Sequence, residues 1–199
     1  MKNISKVVVA GVMVLGFTSL PIQRLNAQNK PIEMTNPLFQ QSTLQYQAPP
    51  FNLIKDEHFK PAFERGIKLQ EKEIQDIVNN PAAPTFQNTL LALEISGADL
   101  GRATGIFYNL TSSNTNPTLQ AIEAEYAPIF SAHNDKIFMN SQLYNRIKSI
   151  NSKTLKGEDE KLKQYYLQQF ELAGANLSPA DKEKMKKNQR GVGKLKYAF

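Results

Sequence analysis

The residues of this chain able to carry acid–base, nucleophilic or metal chemistry are few and scattered. There are two histidines, His58 and His133, and no cysteine. Without cysteine there is no thiolate metal site, no cysteine nucleophile, no disulfide framework and no lipid-modified N-terminal cysteine. His58 stands beside Asp56-Glu57, two carboxylates that could in principle exchange protons. Acids in the first turn of a helix are explained more simply by the helix dipole. His133 lies late in a helical stretch with no partner near it in sequence. Metal binding and acid–base catalysis need converging groups, and no His-Glu-x-x-His, phosphate loop or Ser-His-Asp arrangement can be written from these residues. Both histidines therefore read as capping or satisfied surface side chains. Tyr165-Tyr166 reads as one core ring and one surface ring, and Asn109-Leu110-Thr111 as a chance match to a glycosylation acceptor. On residue types alone, no catalytic, cofactor-binding or metal-binding residue is assigned.

Charge narrows the partners further. Lys and Arg number 24 against 18 Asp and Glu, a formal +6. Residues 182–199 hold Lys182, Lys184, Lys186, Lys187, Arg190, Lys194 and Lys196 against the single acid Glu183, so residues 1–181 are neutral. A nucleic-acid binder needs a basic face on its folded part. None is expected here, so nucleic acid is not expected as a partner.

The elements that would have to position any site follow from periodicity. Lys2 and Lys6 precede the uncharged run from Val7 to Leu20, and Leu25-Asn26-Ala27 follows. This reads as a secretory signal peptide over residues 1–27, cut after Ala27. The run falls short of the roughly 20 apolar residues of a membrane span. The expectation is therefore export to the periplasm or beyond, with no membrane attachment after cleavage. Residues 28–55 are rich in Pro, Asn and Gln and read as an extended arm, strapped to a body by Leu38, Phe39, Leu44, Phe51 and Ile54.

From Asp56 the chain reads as helix after helix. Phe59, Phe63, Ile67, Ile74, Ile77 and Val78 fall on one helical face, with Pro61 in the first turn where its missing N–H costs little. Thr85 caps a second helix carrying Phe86, Leu90, Leu93, Leu100 and Phe107 on one side. Leu91, Ile95, Ala98, Ile106 and Leu110 form a second apolar side, so this helix is expected to be central and buried on both. Gly97, Gly101 and Gly105 recur every four residues along it, and that register predicts a closely approaching backbone. Asn116 and Pro117 open a third helix with Leu119, Ile122, Tyr126, Ile129, Phe130 and Ile137 facing inward and a kink at Pro128. Shorter helices follow from Ser141 and from Asp159 to Ala173, and another starts at Ser178. With no sustained alternation of period two, the fold class is all-α, an antiparallel helical bundle.

Two stretches carry more than periodicity. Residues 47–63, Gln-Ala-Pro-Pro-Phe-Asn-Leu-Ile-Lys-Asp-Glu-His-Phe-Lys-Pro-Ala-Phe, are the first. The second runs from Asn80-Pro81 through Thr85-Phe86-Gln87-Asn88-Thr89 to Ala92-Leu93-Glu94-Ile95-Ser96-Gly97. Both closely resemble the N-terminal region of bacterial peptidyl-dipeptidases, or dipeptidyl carboxypeptidases, of the thimet-oligopeptidase-like zinc metallopeptidases. Asn109 to Asn116 and Ala173 to Ser178 fit the same family in order, so the resemblance covers about residues 36–187.

The resemblance implies an all-helical enzyme of two lobes around a deep channel that removes C-terminal dipeptides from short peptides. Zinc is held in that family by a His-Glu-x-x-His helix and a further Glu in the C-terminal part, so no zinc ligand or catalytic residue carries over to this chain. Residues 56–187 correspond to the N-terminal lobe, which walls the channel. The expectation is a monomeric fragment, inactive alone and without cofactor of its own. A non-catalytic helical module that binds short peptides is the alternative. The resemblance departs near Lys187. Asn188-Gln189-Arg190-Gly191-Val192-Gly193 breaks the helical period, and residues 188–199 read as an aberrant basic tail produced by truncation or a shifted reading frame.

Overall fold

The computed structural model describes residues 36–185. The signal peptide over 1–27, the start of the arm and the tail over 188–199 lie outside the described residues. Six helices and no strand are present among the described residues. They are α1 (Phe59–Val78), α2 (Ala92–Glu94), α3 (Ala98–Ser113), α4 (Pro117–Phe138), α5 (Ser141–Ser149) and α6 (Glu158–Leu172). A 3-10 turn at Asp56–His58 leads into α1, a π-helical turn at Phe86–Leu91 leads into α2, and a further helical stretch runs over 179–185. The all-α reading holds.

Local chemistry sets the helix starts. Thr85 and Asn88 bond reciprocally, each side chain accepting the other's backbone N–H at 3.1 and 2.8 Å, which closes a capping box. Asn116 accepts from the Leu119 N–H at 2.9 Å ahead of Pro117. Asn140 accepts from both the Gln142 and Leu143 N–H groups. The helix at Asp159 begins one residue earlier than expected, at Glu158, and Gly174 closes it at φ 88°.

The apolar faces assemble two cores. One gathers Phe59, Phe63, Leu100, Ala103, Phe107, Leu119, Ile122 and Tyr126. Phe63 stands at its centre, with the rings of Phe107, Tyr126 and Phe130 at 5.2, 5.1 and 5.0 Å. The Phe107 and Phe130 rings meet it edge-on, the geometry the aromatic quadrupole favours. The second core gathers Ile74, Ile77, Leu90, Leu93, Ile137, Leu143, Tyr144, Ile147 and Phe170. α1 and α4 each contribute to both.

The arm is seated by only part of its expected anchors. Leu38 is buried and Phe39 and Ile54 are partly so, whereas Leu44 and Phe51 are exposed. Asn36 fixes the start, donating to the His58 carbonyl and accepting from the Leu38 N–H. Arg65 and Arg102 donate to the carbonyls of Phe39 and Leu38. The same device recurs elsewhere: Arg146 holds the carbonyls of Asn80 and Ala82, and Lys182 that of Met139. Lys163, only 6% exposed, donates to the carbonyls of Ile150 and Lys148 and to the Ser152 hydroxyl. It thereby satisfies carbonyls at and just beyond the end of α5. Burial pushes its pKa down from 10.5.

The glycine register is corrected. The second helix is not continuous: the chain turns at 95–97, and Gly97 adopts φ 72°, which an L side chain rarely takes. A Cβ added at Gly101 or Gly105 would meet nothing within 4 Å. The close approach sits instead on α1, where a Cβ on Gly66 would lie 2.8 Å from the Leu100 Cα. Repetition every four residues fixes a common face without fixing what lies against it. The two-sided burial is corrected in its first half only: Leu91, Ile95 and Ala98, like Ile129 on α4, are exposed, whereas Ile106 is buried and Leu110 packs against the same core.

Two stability outcomes follow. Gly66→Ala drives a methyl into backbone and should cost about 1–3 kcal/mol, whereas Gly101→Ala and Gly105→Ala should each stabilise by about 0.5–1 kcal/mol. Urea unfolding midpoints check all three, and stabilisation by Gly66→Ala would remove the close contact from the account. Lys163→Met strips the donor from buried carbonyls and should cost about 1–3 kcal/mol, read in the same transition.

Candidate functional site

Between the two cores the packing turns polar, and an open cleft of about 480 Å³ lies there. α3 supplies one wall through Leu100, Gly101, Thr104 and Tyr108, and α4 the other through Phe130, His133, Asn134 and Ile137. Gln70 of α1, Glu94 of α2 and Tyr166 of α6 also line it. Gly97, just before α3, and Gly101, whose face is open, contribute to the α3 wall.

His133 is 7% exposed rather than a surface side chain, which corrects the sequence reading. Its Nε2 lies 2.8 Å from the Gln70 Oε1. With the Gln70 amide oriented so that Oε1 faces the ring, that oxygen accepts, which assigns the ring hydrogen to Nε2 and leaves Nδ1 bare. Nδ1 has no hydrogen-bond partner and lies 4.0 Å from the Glu71 Oε1. That carboxylate oxygen is already engaged by the Lys136 ammonium at 2.6 Å. Burial lowers the His133 pKa from 6.5; Glu71 opposes the shift and Lys136 adds to it.

Gln70 also packs against the break ahead of α3, where a Cβ on Gly97 would fall 2.3 Å from its Nε2. The Gly97 N–H donates to the Glu73 carboxylate at 2.7 Å. Across the cleft the Tyr166 hydroxyl donates to Glu94 at 2.5 Å. Burial first, then that bond, pushes the Tyr166 pKa well above the usual phenol range. Deeper in the aromatic core, burial and then a hydrogen bond to Glu64 take Tyr126 up to about 12. Both phenols are held neutral.

The aliphatic hydroxyls lining the cleft are engaged by main-chain carbonyls. Ser96 donates to the Leu93 carbonyl and Thr104 to that of Leu100, and neither meets a base. His58 does what the sequence suggests: its Nδ1 accepts the Lys55 N–H at 3.1 Å, capping the turn before α1. Asp56 accepts from the Asn116 side chain, tying that turn to the start of α4. Among the described residues no group of three or more His, Asp or Glu is placed to hold a metal ion. Among them, too, no helix is long and apolar enough to cross a membrane. The cleft is walled by apolar side chains and by the amides of Gln70 and Asn134.

Gln70, Gly66 and Lys163 escaped the sequence reading. A signal existed for His133 and Lys163. His133 continues the Tyr126, Phe130, Ile137 spacing of the buried face, and Lys163 lies one heptad before Phe170.

No family model matches the chain. Among characterised proteins it is 44% identical over 156 residues to a dipeptidyl carboxypeptidase of Salmonella typhimurium. It is 39% identical over 155 residues to a dipeptidyl carboxypeptidase of Escherichia coli. Each alignment takes in 76% of this chain and 23% of the relative. An oligopeptidase A of Salmonella typhimurium is 27% identical over 154 residues. The chain thus spans under a quarter of the length of the curated relatives it matches.

The buried ring sets a pH dependence. With its pKa lowered in the folded state, His133 stays neutral there while the unfolded chain takes up a proton below about pH 6.5. Its contribution is therefore complete above pH 6.5 and declines as pH falls through the folded value. Urea midpoints measured against pH should drop on the acid side in the native chain, and His133→Gln should flatten that part of the decline. An unchanged profile in His133→Gln would assign the decline to other groups.

Proposed function

The chain is a homologue of the dipeptidyl carboxypeptidases over three quarters of its length, and from that premise we propose that it is the channel-walling lobe of an exported peptidase of this kind, without turnover when alone. The observation that carries the reading is the identity of 44% and 39% to two dipeptidyl carboxypeptidases over 76% of this chain. Zinc supplies the chemistry in the resembling family by activating a water and polarising the scissile carbonyl. The donors among the described residues do not fit such a site. His58 caps a turn and His133 is engaged by Gln70, with no third ligand converging on either.

In this reading the lobe restricts access, admitting short peptides to a catalytic part contributed by residues other than these. Residues 1–27 direct export and are removed after Ala27, the lobe proper occupies 56–187, and the chain is a monomer. The purified full chain, supplied with zinc and short peptides bearing free C-termini, should release no dipeptide, as followed by mass spectrometry of the products. Dipeptide release that rises with added zinc and disappears with a chelator would overturn the proposal.

The open cleft favours a second reading, a helical module that binds short peptides without cleaving them. Its apolar walls, unblocked Gly101 face and exposed Tyr108 suit an extended chain. Titration with short apolar peptides should then shift the amide signals of Gly101, Thr104 and Asn134 saturably, and Thr104→Trp should abolish the response. Absence of any saturable shift would leave only the first reading.

A further inference from the structure

The polar seam beneath the cleft holds a proton acceptor beside an ion pair it could disrupt. α1 and α4 face each other there through Gln70 and Glu71 on one side and His133 and Lys136 on the other. The Glu71 Oε1 accepts from Lys136 at 2.6 Å and lies 4.0 Å from the bare ring nitrogen, so one oxygen stands between the two bases. We propose that acidification drives an exchange of ion pairs at this seam, in which Glu71 leaves Lys136 for a protonated His133 and the movement passes through Gln70 to the Gly97 break in the cleft wall.

The step is a simple protonation. A proton from solvent goes onto the bare Nδ1, and Nε2 keeps the hydrogen it donates to Gln70. The new cation is buried and needs an anion within hydrogen-bond range. Glu71 is the carboxylate that bears on the ring, and Lys136 is the cation that bears on it. Across the cleft Glu94 is taken up by Tyr166, and Glu73 by the Gly97 N–H. Closing 4.0 Å to hydrogen-bond length must move the ring, the carboxylate or both, and the ring is tied to Gln70. Gln70 in turn fills the space where Gly97 has no side chain, so its displacement is felt at the turn that starts α3. Lys136 is mostly exposed and loses little when released to water.

The test is an NMR titration of the full chain between about pH 8 and pH 5, the range that brackets a histidine. The His133 ring signals should titrate with a midpoint below 6.5, and the Gly97 amide and Gln70 side-chain signals should move with that same midpoint. Lys136→Met removes the competing cation and should raise the His133 and Gly97 midpoints together. Glu71→Gln removes the receiving anion and should lower the His133 midpoint while the Gly97 amide no longer responds. His133→Gln should abolish the Gly97 transition. A Gly97 amide that stays still while His133 titrates would overturn the proposal. So would a His133 midpoint that does not move in Lys136→Met, or unfolding of the chain before His133 takes up its proton.

Discussion

The near-contact of α1 with α3 at Gly66 and Leu100 is the constraint from which the rest of this helical body is arranged. Without a side chain at Gly66, the Leu100 backbone comes to a distance no Cβ tolerates. That proximity lets Phe59 and Phe63 reach Phe107 and brings Ala103 into full burial between larger residues. A larger residue would lift α3 away and open the aromatic core along its length. Interiors packed at crystal-like density transmit such a displacement rather than absorb it.

Because α1 continues past that contact, it threads both cores, and α4 runs alongside through both. Between the cores the two helices meet through Gln70, Glu71, His133 and Lys136 instead of through apolar side chains. A polar stretch inside a helical body has to satisfy its own hydrogen bonds, and this one does so except at the His133 Nδ1. The cleft lies over the same stretch, where the α3 wall sets Gly101 and Thr104 between Leu100 and Tyr108.

The inward faces were legible because they rest on spacing: Phe59, Phe63, Ile74 and Ile77 are buried as their period implied. So was the all-α class, and so was the likeness to dipeptidyl carboxypeptidases, which extends over three quarters of the chain. What the sequence did not disclose is which neighbour each face meets. Three glycines in register suggested a tight contact, yet the tight contact uses the solitary Gly66, which no pattern singled out. Leu91, Ile95 and Ile129 matched an apolar period but face outward. His133 and Lys163 were set aside as surface or passed over because residue type outweighed position. Their place on buried faces was written in the same spacing that located Phe130 and Phe170. Gln70 gave no local cue, since its role comes from an imidazole and a glycine brought to it from elsewhere in the chain.

The connecting segments are held in a manner that bears on how such a protein can drift. Arg65, Arg102, Arg146, Lys163 and Lys182 each grasp main-chain carbonyls, at Phe39, Leu38, Asn80 and Ala82, Ile150 and Lys148, and Met139. A carbonyl is present whatever side chain its residue bears. The path of these segments is therefore encoded in part in five cations lodged on the helices, beside such local anchors as Asn36 and Leu38. Substituting a loop side chain leaves these carbonyl contacts in place, whereas losing one distant Arg or Lys removes them.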